Sequence, residues 1–333
     1  MQYIILVLLI VLALKFQTSK KIAFLNIAFM WIIISLNYNN PDYNNYLRIY
    51  NNPEIISDFG FSVLCKAFNG LHLSYNCMLG FISSICLLLL YKTFKRMSDK
   101  VALVTMLYML YPFFADAIQI RNFIAMSIVL YAMKFINNRH EKKDLILYII
   151  FVLLASSFHI LALVYLALPI INKFSIKLNI LFGVLGSMLI LGLIRIVGIY
   201  FPRMDEYNDE VVFWKAFIYM LPFIVLFAVG EGLYLNNKRL EYSMNRFFVK
   251  SQIYLFMYNI LLFVNLNYHR IFRNFIPILD VGYAELFQSK LSKKRFFMLL
   301  CLIGAILIKF FWGWNEKELL MQNNYLFDFL GKS

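Results

Sequence analysis

Three arginines stand where long apolar stretches of this sequence begin: Arg121, Arg270 and Arg273. Arg121 follows the segment DAIQI, and the other two lie three positions apart within NYHRIFRNF. Residues with that spacing share one face of a helix. A guanidinium at a helix start can bind phosphate together with the unpaired amides of the first turn. The three residues therefore predict a clamp for a phosphate or diphosphate group.

Carboxylates, tyrosines and a histidine provide candidates for acid–base chemistry and sugar binding. Asp42, Tyr46 and Tyr50 recur every four residues, so on a helix they would share one face. Carboxylates accept hydrogen bonds from sugar hydroxyls, and tyrosine rings stack on sugar faces. Asp58 and His159 are further candidates for a base. The residue types alone do not decide whether Asp42, Asp58 or His159 is that base.

No metal-binding or cofactor-binding motif accompanies these residues in the sequence. The four cysteines form no CxxC pair, and no histidine–carboxylate cluster has the spacing of a metal site. Glycine-rich phosphate loops and GxSxG segments are also absent from the sequence. We therefore predict chemistry that needs neither a metal nor a cofactor.

The composition indicates that these residues belong to a membrane protein. The chain of 333 residues is 62% hydrophobic and only 15% charged, whereas about a quarter of a soluble domain is charged. Its apolar runs are continuous and lack the alternation of barrel strands. We predict an all-α, polytopic integral membrane protein, one transmembrane domain over residues 1–333 with about twelve transmembrane helices. The predicted spans are 3–16, 22–37, 73–91, 101–114, 122–136, 144–157, 159–171, 178–200, 213–235, 251–264, 271–288 and 296–312.

The basic residues predict how the chain is oriented. Lysine and arginine collect in every second connection, and such connections lie in the cytoplasm. Both chain ends and a long loop at 37–60 are then outside, followed by a short amphipathic helix at 61–72 on the outer membrane surface. Its apolar stripe is predicted to contain Phe61, Leu64, Phe68 and Leu71, which recur at helical spacing. The same rule accounts for the net charge of +14, so we expect a lipid bilayer and no nucleic acid as partner.

Each candidate residue also fits a plainer role. Arg121 could extend to the membrane surface or pair with Asp116, which could cap the helix start. Arg270 and Arg273 could contact lipid headgroups. The tyrosines could belong to an interfacial aromatic belt, and His159 could simply begin a helix.

The sequence resembles the EpsG family of bacterial membrane proteins, which is related in role to Wzy-type polysaccharide polymerases. The resemblance extends over most of the chain. In family members a glutamate often stands at the position of Asp58, so this chain departs from the pattern there. The segments that carry the resemblance are DYNNYLRIY (Asp42, Tyr46, Tyr50), DFGFSVL (Asp58, Gly60, Phe61), QIRNFIAMSIVLYA (Arg121, Ala125), SSFHILALVYL (His159, Ala162) and RIFRNFIPIL (Arg270, Arg273).

The resemblance implies polymerisation of oligosaccharide repeat units linked to undecaprenyl diphosphate. The reaction would occur at the outer leaflet of the bacterial cytoplasmic membrane and release undecaprenyl diphosphate. It would make this multi-pass protein a glycosyltransferase, with a flippase and a chain-length regulator as candidate partners. The candidate catalytic residues are then Asp42, Asp58, His159 and Arg121, and the candidate substrate-binding residues are Arg270, Arg273, Tyr46 and Tyr50.

Two other functions remain open at this level. Another membrane glycosyltransferase could add a single sugar from a polyprenyl-linked donor. A flippase or other transporter of lipid-linked oligosaccharides is the alternative outside the glycosyltransferases, although transporters usually contain internal repeats and polar residues along a path at the membrane midplane. This sequence has no clear repeat, and its charges collect at the predicted outer ends of the spans.

Overall fold

The structure is a computed structural model that describes residues 1–137, 142–171, 173–200, 211–236, 242–287 and 292–331. Within these ranges the chain is helical and contains no strand, which confirms the predicted all-α class. Extended backbone pairs at one isolated bridge of the described chain, between Asn37 and Asn324.

Nineteen α-helices and several short 3-10 helices follow one another along the described chain. The 3-10 helices are Pro53–Ile55, Ile160–Ala167, Tyr258–Phe263, Leu266–His269 and Ala284–Leu286. The α-helices are α1 (Gln2–Lys15), α2 (Lys20–Ser35), α3 (Tyr43–Asn51), α4 (Phe59–Gly70), α5 (Tyr75–Met97), α6 (Val101–Leu110), α7 (Phe113–Ile118), α8 (Ile120–Ala132), α9 (Lys134–Asn137), α10 (Lys142–Ser156), α11 (Leu168–Ile171), α12 (Ile176–Tyr200), α13 (Phe213–Asn236), α14 (Tyr242–Met257), α15 (Arg270–Arg273), α16 (Ile276–Tyr283), α17 (Lys293–Phe311), α18 (Trp314–Gln322) and α19 (Tyr325–Gly331).

The predicted apolar runs are helical, but several are divided into shorter helices. The run 101–114 divides into α6 and α7, with Pro112 at the N-cap of α7. The run 271–288 becomes three short helices, and Pro277 lies in the first turn of α16. Proline lacks an amide hydrogen, so it favours a helix start over a helix interior.

Two helices of the described chain are long and apolar enough to cross a membrane by themselves, at Tyr75–Met97 and Phe213–Leu233. The pair α17 and α18 would make a third crossing, bent by 68° at the break between them. These helices agree with a membrane protein. The expected number of about twelve spans stays a prediction.

The chain divides into two compact units. The first unit comprises Met1–Leu166 and Lys309–Ser333, and the second comprises Ala167–Ile308. The expected single transmembrane domain over residues 1–333 stays a prediction.

The core of the first unit fixes the position of α8. Helix α5 packs on α2 and α8, and α10 also packs on α8. The amide of Asn26 in α2 donates to Ala102 O at 3.2 Å and to Thr105 Oγ1 at 3.0 Å in α6. These buried hydrogen bonds tie α2 to α6, because an unpaired buried amide would cost stability. Helix α8, whose first turn contains Arg121, joins this group of helices through its packing on α5.

Segments that the charge pattern places outside lie together in the first unit. The Asn37 amide donates to Asn323 O at 2.9 Å, and Tyr325 N–H donates to Leu36 O at 3.0 Å. Tyr38 Oη donates to Asp328 at 2.7 Å. The beginning of the loop at 37–60 is thus held against the last helices of the chain, as expected for segments on one side of a membrane.

Helix α4 corresponds to the predicted amphipathic helix, but its faces differ from the prediction. Phe61 was expected on the outer apolar stripe, yet it is fully buried and packs against Tyr46 at 5.7 Å between ring centroids. Phe59 and Val63 are the exposed apolar residues near the start of α4. The predicted stripe was wrong at Phe61 because α3 covers that side of the helix.

The second unit is built around α12, α13 and α14. Helix α14 packs against both α12 and α13, and α13 also contacts α16. Tyr283 Oη in α16 donates to Leu226 O at 2.7 Å, and the Gln252 amide in α14 donates to Phe227 O at 3.0 Å. Both bonds end on α13, which joins the short segments at 266–286 to the longest helices of this unit.

Candidate functional site

Arg121 lies in the first turn of α8, as the sequence predicts. The expected capping residue, Asp116, does not cap this helix. Gln119 occupies the N-cap without a side-chain capping bond, whereas Asp116 is buried in α7 and accepts a hydrogen bond from Tyr108 Oη at 3.2 Å. The capping prediction was wrong because the break at Pro112 gives Asp116 a short helix of its own.

Asp58 is the carboxylate that pairs with Arg121. The Arg121 Nη1 group donates to Asp58 Oδ2, an ion pair between residues 63 positions apart. Only 23% of the Arg121 side chain and 13% of the Asp58 side chain are exposed. Burial raises the pKa of the Asp58 carboxyl above its ordinary value, and the guanidinium offsets part of that rise. The pair therefore places a cation beside a carboxylate that takes up a proton more readily than usual.

Tyr46 completes this cluster from helix α3. Its hydroxyl lies 3.5 Å from Arg121 Nε, and its ring centroid lies 5.7 Å from Arg121 Cζ. The ring also packs on Phe61, the third residue of α4. Tyr46 thus contacts both elements that carry the ion pair, which limits the positions open to the guanidinium.

The other residues of the α3 pattern lie apart from the ion pair. Tyr46 and Tyr50 share the buried face of α3, as predicted. Tyr50 Oη donates to Leu73 O at 2.5 Å, and its ring lies 5.7 Å from that of Tyr75, so it anchors the connection between α4 and α5. Asp42 is half-buried at the N-cap of α3, one turn before Tyr46.

His159 lies in a turn that contacts the start of α4. Gly60 N–H donates to Ser157 O at 2.8 Å, two residues before His159. Leu161 N–H donates to His159 Nδ1 at 3.3 Å, so the imidazole caps the beginning of a 3-10 helix. The histidine therefore has the helix-start role that the sequence left open, in a turn attached to the loop of Asp58.

Gly60 and Ser157 are site residues that the sequence analysis missed. A Cβ at Gly60 would lie 3.1 Å from Ser157 O and 3.2 Å from Ser157 C, and closer still to Ser157 Oγ. Only glycine allows this approach without displacement. The segment DFGF was the one sequence signal for Gly60, and no feature of the sequence pointed to Ser157.

Arg270 and Arg273 belong to the second unit. They form α15, a helix of four residues. Arg270 Nη2 donates to Asn267 Oδ1 at 3.0 Å, whereas Arg273 is 0% exposed and its Nη1 lies 2.8 Å from His269 Nε2. Both guanidiniums were expected at the outer surface, and this was wrong for Arg273, whose side chain is fully buried and lies against His269. Joint action of these arginines with Arg121 stays a prediction.

The described residues contain no group of three or more histidine, cysteine, aspartate or glutamate side chains arranged to hold a metal ion. The charged groups that converge in the first unit are instead a guanidinium and a carboxylate. Such a pair can bind an anion through the arginine and accept a proton through the aspartate.

Comparison with known proteins identifies the family. The EpsG family is a family of polysaccharide polymerase-like membrane proteins, and its family model matches residues 20–327. No curated protein and no solved structure matches the chain significantly. Because the family match extends over most of the sequence, the chain belongs to the EpsG family and is a membrane protein of polysaccharide biosynthesis.

Proposed function

We propose that the protein polymerises oligosaccharide repeat units carried on undecaprenyl diphosphate, at the outer leaflet of the bacterial cytoplasmic membrane. The observation that carries this proposal is the half-buried cluster of Arg121, Asp58 and Tyr46. It combines a diphosphate-binding group with a proton acceptor on segments predicted to face outward. The EpsG family membership supports the same chemistry at a coarser level.

In the proposed reaction a sugar hydroxyl of one lipid-linked repeat attacks the anomeric carbon of the growing glycan. A new glycosidic C–O bond forms, and the bond between the anomeric carbon and the diphosphate oxygen breaks. The hydroxyl proton passes to Asp58, and undecaprenyl diphosphate leaves with the bonding electron pair. Arg121 stabilises the negative charge that develops on the diphosphate.

Asp58 is the base in this proposal because it is the candidate carboxylate in direct contact with Arg121. Asp42 is assigned to sugar binding at the start of α3, and Tyr46 orients the guanidinium. The buried Tyr50 holds the connection between α4 and α5 instead of binding sugar. His159 positions the turn that contacts α4. Arg270 is retained as a further cation for the lipid-linked substrate, whereas the buried Arg273 is assigned no contact with it.

The proposed surroundings follow from the substrate. Both reacting molecules are anchored in lipid, so the bilayer is part of the working environment. A flippase must deliver repeat units to the outer leaflet, and a chain-length regulator is a further proposed partner. The positive charge for diphosphate departure comes from arginine in this scheme, without a metal ion.

Polysaccharide from a deletion strain that carries the Arg121→Ala variant tests the function. We expect loss of long chains and accumulation of single-repeat glycan, because removing one such charge contact lowers the rate by about 100-fold or more. Membrane levels of the variant, measured by immunoblot, must match those of the unaltered protein. Normal chain lengths at normal protein level would refute the proposal, and loss of all lipid-linked repeat units would favour a function before polymerisation.

A further inference from the structure

Asp58 has the backbone of a helix cap but uses its side chain elsewhere. It is the N-cap residue of α4, with φ −76° and ψ 98°, the extended conformation typical of that position. An aspartate here ordinarily bonds to the amide of the second or third helical residue. Asp58 makes no such bond, and its carboxylate pairs with Arg121 instead.

A second position for the carboxylate therefore exists within the same turn. Gly60 N–H is already bonded to Ser157 O, and Ser62 N–H to Asp58 O at 3.0 Å. The third helical residue, Phe61, is the remaining amide position that a capping carboxylate ordinarily reaches. Rotation of one side chain would move the carboxylate from Arg121 to the start of α4, where the helix dipole favours a negative charge.

Arg121 has contacts that do not depend on Asp58. Tyr46 lies against the guanidinium through its hydroxyl and its ring. Tyr46 itself is held by packing on Phe61. The Arg121 guanidinium is thus positioned by Tyr46 of α3. Its partner carboxylate, Asp58, could instead bond to the first turn of α4.

We propose that Asp58 is an internal anion on Arg121 that the diphosphate of the lipid-linked substrate displaces, which moves the carboxylate to the α4 start. The inference rests on the proposed function and adds a binding order to it. A diphosphate offers two anionic groups and bidentate geometry to a guanidinium, where Asp58 offers a single carboxylate oxygen. The base is then released from Arg121 only when a donor occupies the site.

This exchange predicts an unusual effect of neutralising Asp58. If the carboxylate competes with diphosphate for Arg121, the Asp58→Asn variant binds inorganic diphosphate more tightly than the unaltered protein. We expect the Kd to fall about two- to fivefold, the range that corresponds to a partly exposed ion pair. Titration calorimetry of the full chain in phosphatidylcholine nanodiscs would measure it. Arg121→Ala should abolish binding, and Asp58→Glu, which keeps the charge, should bind like the unaltered protein.

The exposed ion pair between Lys66 and Glu54 offers a matched control. It joins the same loop to α4 at 2.7 Å, so Glu54→Gln removes an equal charge nearby without touching Arg121. Its Kd should stay unchanged. A Kd that falls equally in Glu54→Gln, or that rises or stays constant in Asp58→Asn, would overturn the exchange.

Two further readouts separate the explanations. If the protein binds inorganic phosphate as tightly as inorganic diphosphate, the site recognises a single phosphate, such as a phospholipid headgroup. That result would also overturn the proposal. Asp58→Ala serves as a second variant, and unchanged gel-filtration profiles show that each variant is folded. If Arg121→Ala loses long polysaccharide while Asp58→Asn binds diphosphate no more tightly, the exchange fails and the proposed function stands.

Discussion

At the scale of single residues, the Arg121–Asp58 pair decides what the site can do. The sequence identified both residues, and Tyr46, by their types. It could not pair them, because contacts between residues 63 positions apart depend on how α4 folds back onto α8. It offered Asp116 as the partner of Arg121 only because Asp116 is close in sequence.

The raised pKa of Asp58 predicts the pH dependence of polymerisation. Accepting a proton requires the carboxylate, which forms as pH rises through the pKa. Since burial lifts this pKa above its ordinary value of 3.8, activity should fall with decreasing pH at a pH higher than an exposed aspartate would give. The fall in activity forms the acid limb of the pH profile of kcat/KM, which can be measured on purified protein.

Asp42→Asn and His159→Gln are the controls for that profile. Both should retain the acid limb, because the proposal assigns it to Asp58, the carboxylate that forms the ion pair with Arg121. Disappearance of the limb in either variant would contradict the assignment of Asp58 as base.

Tyr46 should act mainly through its ring. Its hydroxyl stands 3.5 Å from Arg121 Nε, at the limit of a hydrogen bond, whereas the ring contacts both the guanidinium and Phe61. We expect Tyr46→Phe to reduce the polymerisation rate less than about threefold and Tyr46→Ala to reduce it at least about tenfold. Equal losses in both variants, in an assay of chain elongation, would assign the main role to the hydroxyl.

At the scale of elements, the contact between Gly60 and Ser157 joins the Asp58 loop to the turn of His159. A methyl group at Gly60 would displace α4 from this turn, because the Ser157 carbonyl stands within 3.2 Å of it. Gly60→Ala should lower kcat by about 10- to 100-fold, since small displacements of reacting groups have effects of that size.

The same helix contains its own control for this substitution. A Cβ at Gly70 would meet no atom within 4 Å, so Gly70→Ala should leave kcat unchanged. Ser157→Ala removes the nearest atom and should partly restore activity to Gly60→Ala. The positioning role also requires the acid limb of the pH profile to shift in Gly60→Ala, and a loss of kcat with an unshifted limb would speak against it.

Sequence patterns predicted the presence of helices more accurately than the positions of their breaks. The apolar runs became helices because a helix satisfies its backbone polar groups internally, as an apolar environment requires. Pro112 and Pro277 mark two of the breaks in the sequence, but the buried position of Arg273 depends on tertiary packing. Phe61 shows the same limit, since the side of α4 that it occupies is set by α3.

At the scale of the whole molecule, the charge pattern of the sequence and the contacts in the structure both bear on orientation in the membrane. The charge pattern places the loop 37–60 and the tail beyond residue 313 on one side. In the structure, the contacts of Asn37 and Tyr38 with the last two helices join those two segments. The contact agrees with a shared side of the membrane for both segments.

Cysteine accessibility would identify that side. Cys77 is exposed near the start of α5, at the end predicted to be outside, whereas Cys65 and Cys86 are buried. A membrane-impermeant maleimide should therefore label Cys77 in intact cells. In a variant without native cysteines, Lys95→Cys at the other end of α5 should react only after the cells are permeabilised. The reverse pattern would place Asp58 and Arg121 in the cytoplasm, where the proposed outer-leaflet reaction has no substrate.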